Sequence, residues 1–225
     1  MDVQTTEEIQ LNSHYEYIVT SEQRSLNGDY REEALRSLQE TQGWCTTLKA
    51  SVLMDFVHTL KAQRVVEIGV FGGSSLIPIA YALKERGEGI IYGIDPWLTE
   101  ASVEGMEGLH ELWWATIDHE AILQGLLQKI SDYKLDTYIE LLRTTSEEAP
   151  NIEGIDILHV DGNHSDRTSF FDVTKWVPLV RKGGIIIFDD MTWGTTDRAV
   201  KWLDEHCDKL GEFHEENVWG LWVKP

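Results

Sequence analysis

The sequence predicts an α/β fold, a seven-stranded and mostly parallel sheet with helices on both faces and an antiparallel hairpin at the C-terminus. Three observations predict it. Short apolar runs (RVVEIGV, IIYGIDP, YIELLRT, IDILHVDG, GGIIIFDD) recur along the chain, and segments with apolar residues at helical spacing separate them. The chain then closes in two strand-like segments, GEFHEEN and VWGLWVKP, joined too closely for a parallel crossover. Continuous apolar strands alternating with amphipathic helices are the pattern of a sheet buried on both faces.

Each element has its own justification. From Thr46 onward, Val52, Leu53, Phe56, Val57 and Leu60 fall on one helical stripe leading into the first strand, RVVEIGV. The next helix buries Leu76, Ile79, Ala80 and Leu83, with Pro78 in its first turn, where a missing N–H costs little. The second strand covers 90–96. Residues 97–135 form a long connection with a Gly- and Glu-rich start and a helix expected over 112–130; long loops at strand ends usually serve a site. Strands follow at 138–144, 155–162 and 183–190. Ser165 is a plausible N-cap for a helix carrying Phe170, Val173, Val177 and Val180 inward, and 197–210 forms a last helix with Ala199, Val200, Leu203 and Cys207 on one stripe. Residues 1–45 are expected to be a helical extension or lid on a main domain of residues 46–225, with Ile9, Leu11, Tyr15, Tyr17, Ile18 and Leu35 as its scattered apolar positions.

Composition narrows the function. The 225 residues carry 39 acidic and 19 basic side chains, a formal charge of −20, with 42% hydrophobic residues and nine Trp. Such a chain folds rather than staying disordered. A polyanion without a basic run repels phosphate backbones, so nucleic acid is not an expected partner and a small-molecule substrate is. The N-terminus has no signal-peptide pattern and no apolar run reaches 18 residues, so neither secretion nor membrane insertion is expected. Two distant cysteines, Cys45 and Cys207, suit a cytoplasmic location. The apolar residues of the N-terminal segment leave room for a homo-oligomer.

In open parallel sheets ligands bind at the carboxyl ends of the strands. The first strand ends in EIGVFGGSS, with Glu67 at the strand end and Gly69, Gly72 and Gly73 forming a turn that lets backbone approach a ligand. The second ends in Asp95, whose carboxylate can accept both hydroxyls of a ribose. Together they select a nucleoside-containing ligand. The spacing is not GxGxxG, which disfavours a dinucleotide. The competing reading is that the glycines only make a turn and Asp95 caps a helix.

The segments VVEIGVFGGSS and YGIDPW resemble motifs I and II of class I S-adenosylmethionine (SAM)-dependent methyltransferases, which share a Rossmann-like sheet with a reversed C-terminal hairpin. By element order the resemblance covers 43–225. It implies that Glu67 lies near the methionine part of SAM, that Gly69 and Gly73 pass beside it, and that Ser75 helps hold its carboxylate. Asp95 would take the ribose hydroxyls, and Thr145 and Ser146 the adenine.

Asp161 ends the fourth strand, and Asp189 with Asp190 ends the fifth, so three carboxylates reach one sheet edge. An oxygen-only cluster suits a hard divalent cation such as Mg²⁺. The pattern resembles metal-dependent O-methyltransferases of the catechol, caffeoyl-CoA and antibiotic-sugar types. His164, three residues after Asp161, stands where several of these relatives place a general base; Asn163 stands where some carry an Asp and cannot act as one. The structural alternatives are that Asp161 caps the next helix, that Asp189 and Asp190 are solvated, that His164 is exposed, and that His159 is a packed core residue. Trp97, Trp113, Trp114 and Trp193 cluster around these loops, Trp193 being the foremost candidate to face substrate; His110, Trp202, Trp219 and Trp222 carry no assigned role. The expectation is a Mg²⁺- and SAM-dependent O-methyltransferase acting on adjacent oxygens of a sugar diol or catechol-like molecule. The alternatives are a nicotinamide oxidoreductase and a non-catalytic SAM-fold binding protein.

Overall fold

The computed structural model describes residues 28–215 and 217–225. In chain order the elements are α1 (Gly28–Glu40), α2 (Thr47–Thr59), β1 (Arg64–Ile68), α3 (Leu76–Arg86), β2 (Ile90–Ile94), α4 (Thr99–Ser102), α5 (Gly108–Ala115), α6 (His119–Asp132) and β3 (Ile139–Leu142). They continue with β4 (Ile155–Val160), α7 (Asp166–Trp176), a 3₁₀ turn (Val177–Leu179), β5 (Val180–Phe188), α8 (Asp197–His206), β6 (Asp208–His214) and β7 (Val218–Val223). The seven strands form one sheet in the order β3-β2-β1-β4-β5-β7-β6. Pairing is parallel from β3 to β5, and β7 is antiparallel to both β5 and β6. The order reverses between β1 and β4, the place where an open sheet forms its crevice.

Side chains alternate between the two faces of each strand. Val65, Ile91, Ile157, Ile185 and Ile187 join a core with α1, α2, α3 and α6. Val66, Ile94, Leu158, Ile186 and Phe188 join a second core with α7 and α8. Capping follows the sequence signals: Thr46 accepts from the Lys49 N–H, Asp118 from Ala121, and Ser165 from Thr168, while Gly87 closes α3 in the left-handed region at φ 72°.

Three boundaries differ from the sequence expectation. The helix expected over 112–130 is two helices, α5 and α6, because Asp118 supplies a new N-cap and starts a second helix. The last helix ends at His206 and not at 210, since Asp208 and Lys209 already pair with β7. Strand β5 begins at Val180, and Gly183 at φ 74° sits where its register against β4 shifts. In the N-terminal segment, Ile9, Leu11, Tyr15, Tyr17 and Ile18 lie outside the described residues, whereas α1 packs Tyr30 and Ala34 into the first core with Leu35 beside them. Among the described residues, no helix is long and apolar enough to cross a membrane. Cys45 and Cys207 are both free thiols.

Candidate active site

The C-terminal ends of β1, β2, β4 and β5 meet the loops after them around a cavity of about 700 Å³. Gly69, Ser75, Asp95, Thr145, Ser146, Asp161, His164, Asp189 and Asp190 all line it. Glu67 and Gly73 do not reach its wall. Glu67 is fully buried behind it, accepting from the Ser75 hydroxyl, with its second oxygen unpartnered. Gly73, at φ 84°, packs toward α6: a Cβ there would stand 2.6 Å from Leu126 Cδ1. Gly69 is required for another reason, since at φ 83° its Cβ would lie 2.0 Å from the Asp161 carbonyl oxygen. The glycine turn therefore brings the loops after β1 and β4 into contact.

Asp95 ties the first two loops together. Its Oδ2 accepts from the Val70 and Phe71 N–H groups at 3.0 and 2.9 Å, and its Oδ1 from the Trp97 N–H at 2.7 Å. Burial raises its carboxyl above the ordinary range, with these three N–H groups opposing the rise. Three of the carboxylate's roughly four acceptor positions are thereby taken, and the open one is on Oδ1.

At the other end, the acids of β4 and β5 are not simply solvated. Asp189 is buried, and its Oδ2 accepts from Lys49 Nζ and lies 3.0 Å from His159 Nε2. Lys49 Nζ also lies 3.7 Å from Asp161 Oδ2. Burial opposes charging Lys49, but Asp189 and Asp161 outweigh it and hold the ammonium well above its usual pKa. The reciprocal attraction keeps Asp189 ionised against its own burial. Burial and the charge of Asp189 push Asp161 well up. His159 is fully buried, as expected of a core residue, yet it joins the site: burial and Lys49 oppose its protonation, while Asp189 and Glu67 hold its pKa up at about 9.

His164 is mostly enclosed, with Nε2 2.9 Å from Asp190 Oδ2 and its ring 5.1 Å from Trp193. Asn163 serves structure: its amide donates to the carbonyls of Ala101 and Glu104 at 3.1 and 2.9 Å and holds α4 over the cavity. Ligand atoms within 4.8 Å of one another form two groups, His159–Asp161–Asp189 and Asp161–His164–Asp190, with Asp161 common to both. The donor set is compatible with a hard cation, because Asp161 is partly open to the cavity and the buried Asp189 Oδ1 has no partner.

Of the tryptophans, Trp97 is core, its Nε1–H donating to the Phe71 carbonyl at 2.9 Å. Trp113 and Trp114 instead pack with Trp44 at the cavity's edge, ring centroids 5.7 and 6.1 Å away, and Trp193 stands between His164 and His110. Sequence reasoning missed Lys49, Trp44 and Asp172, another wall residue. Lys49 left a signal: it lies three and four residues before Val52 and Leu53, a charge on an apolar stripe, which is rarely buried without a partner.

A parallel sheet with a switch point between β1 and β4, a glycine turn and a largely apolar cavity with acidic groups at the strand ends is the arrangement in which open α/β sheets bind ligands. Residues 66–191 match the Methyltransf_24 family, described as a methyltransferase domain, and the chain belongs to that family. Among curated relatives it is 31% identical over 137 residues to tapetum-specific methyltransferase 1 of Arabidopsis thaliana, covering 61% of this chain and 50% of that protein. It is 26% identical over 149 residues to a caffeoyl-CoA O-methyltransferase of Stellaria longipes, covering 66% and 54%. The chain spans about half the length of the curated relatives it matches. In fold it is similar to the O-methyltransferase TomG of Streptomyces achromogenes, solved with SAM, at TM-score 0.61 and 15% identity over 98% of this chain and 99% of that one.

Proposed function

We propose that this protein is a SAM-dependent O-methyltransferase acting on a small molecule with adjacent oxygens, such as a sugar diol or a catechol-like compound, with a divalent cation such as Mg²⁺ as its second cofactor. The observation that carries this reading is the His164–Asp190 pair beside Asp161, lining the same cavity as Gly69, Asp95 and Ser146. A curated relative named as a caffeoyl-CoA O-methyltransferase supports the same class.

Bound SAM supplies a methyl group made electrophilic by its sulfonium, and a divalent cation acidifies an acceptor hydroxyl. Asp95, Thr145 and Ser146 would hold the nucleoside, with Gly69 beside it and Ser75 near the amino-acid end. Glu67 would act only through Ser75, since it lies behind the wall. Asp161 would hold the cation with either Asp190 or the unpartnered Oδ1 of Asp189, since those two acids fall in separate ligand groups that share Asp161. With its Nε2–H directed at Asp190 Oδ2, 2.9 Å away, His164 would keep Nδ1 as the lone-pair nitrogen able to take a hydroxyl proton. The carboxylate of Asp190 then stabilises the imidazolium. The rest is positioning by a preformed cavity.

A second reading is favoured by Lys49. Its buried ammonium already neutralises Asp189, so the site contains a cation of its own and methyl transfer can proceed without a metal. Activity on catechol and diol acceptors before and after EDTA treatment separates the two. Loss on EDTA and recovery with Mg²⁺ are expected; undiminished transfer in EDTA would assign the charge role to Lys49. No SAM binding in calorimetry would overturn both.

A further inference from the structure

Beside Ser146 in the cavity wall stands a carboxylate with no use in the scheme above. Asp172, on α7, is 1% exposed, and its Oδ1 accepts from the Ser146 hydroxyl at 2.5 Å. Its Oδ2 is buried without a hydrogen-bond partner, and Gly162 covers it so closely that a Cβ there would come within 3.4 Å of that oxygen. The nearby ammonium of Lys175 is engaged elsewhere, donating to the carbonyls of Ser146, Glu147 and Ala149 at 2.7, 3.0 and 2.8 Å. Trp176 Nε1–H also donates to the Ser146 carbonyl, at 3.3 Å. The loop after β3 is thus held by its backbone, and a buried, half-satisfied carboxylate adds nothing that its anchoring needs while costing desolvation.

What Asp172 does is fix a proton. A serine hydroxyl has one hydrogen and two lone pairs. With Asp172 ionised and the hydroxyl hydrogen directed to it, Ser146 can present only lone pairs to the cavity, so it accepts from a ligand and cannot donate. We infer that Asp172 is a positioning residue that sets the polarity of the Ser146 hydroxyl, so that the pocket selects a purine bearing an exocyclic amino group over one bearing an oxygen at the same place. The inference rests on the SAM reading, in which Ser146 meets the adenine, and extends it to the means by which adenine is distinguished.

Calorimetry with S-adenosylhomocysteine and its deaminated counterpart S-inosylhomocysteine tests this at pH 8.5, with circular dichroism confirming the fold of each variant. The wild type should prefer the adenosyl compound by about tenfold or more, since the inosyl oxygen would face another acceptor. Asp172→Ala frees the hydroxyl to rotate, and the preference should fall to about threefold or less. Ser146→Ala removes the hydroxyl itself, should give the same collapse, and remains informative if Asp172→Ala does not fold. A residue that merely supports the loop would weaken both ligands equally and leave their ratio unchanged. An unchanged ratio in either folded variant overturns the inference while the SAM reading stands. A wild type that binds neither compound overturns the SAM reading, and this inference with it.

Discussion

His164 is the residue on which the proposed chemistry turns. Replacing it with Ala should reduce turnover by about 10²- to 10⁴-fold, the usual contribution of a positioned base. Calorimetric affinity for S-adenosylhomocysteine should stay at the wild-type value, because the residues proposed to hold the nucleoside are elsewhere; a matching loss of affinity would reassign His164 to cofactor binding. Asp172 gives a prediction about stability. Burial raises its carboxyl from the ordinary 3.8 to about 7, with the Ser146 hydrogen bond opposing the rise. A raised carboxyl favours the folded state while protonated, so that contribution is complete below pH 4 and is lost as pH rises through 7. Relative to Asp172→Asn, the wild type should therefore lose on the order of a few kcal/mol between pH 5 and pH 8 in urea unfolding. Parallel pH curves for the two proteins would contradict it. The site acids were legible in the sequence because each stands immediately after an apolar strand. Their partners were not: the pairing of Lys49 with Asp189 joins residues 140 positions apart.

At the scale of elements, the glycine turn after β1 matters more as a joint than as a cradle. Gly69 lets the loop after β1 touch the loop after β4, which carries Asp161. Gly69→Ala combines a left-handed φ with a backbone collision and should cost more than about 3 kcal/mol, with the cavity and cofactor affinity lost together. A thermal midpoint within two or three degrees of wild type, on the order of 1 kcal/mol or less, would show that the turn relaxes. The elements over the cavity follow the same logic. Arg167 bridges Glu104 and Glu147 at 2.7 and 2.8 Å, yet all three are exposed, so this clasp orients the α4 region more than it stabilises it. Strand and helix types were legible from periodicity. The split between α5 and α6 was not, because the apolar pattern runs through the break and only the Asp118 cap marks it.

For the whole molecule, the charge of −20 opposes compactness through self-repulsion. The site offsets a small share, with Lys49 facing Asp189 and Asp161. Raising the salt from about 0.02 to about 0.3 M shortens the Debye length below about 10 Å and should raise the thermal midpoint by a few degrees. A fall in midpoint over that range would mean that surface ion pairs such as Arg143–Glu120 outweigh the excess negative charge. The two-sided burial of the central strands, with alternate residues in separate cores, accounts for the need for 42% hydrophobic residues in so acidic a chain.

The sequence by itself determined the parallel sheet, the C-terminal reversal and the residues placed at the strand ends, because strand periodicity and strand-end position are local properties of the chain. Only the tertiary structure decided which of those residues face the cavity. Glu67 and Gly73 turned away from it, Lys49 and Asp172 entered its surroundings, and His159 became part of a charged network. These outcomes depend on which distant groups share a low-dielectric interior, where a charge or hydroxyl must find a partner across the fold, and no local pattern encodes that pairing.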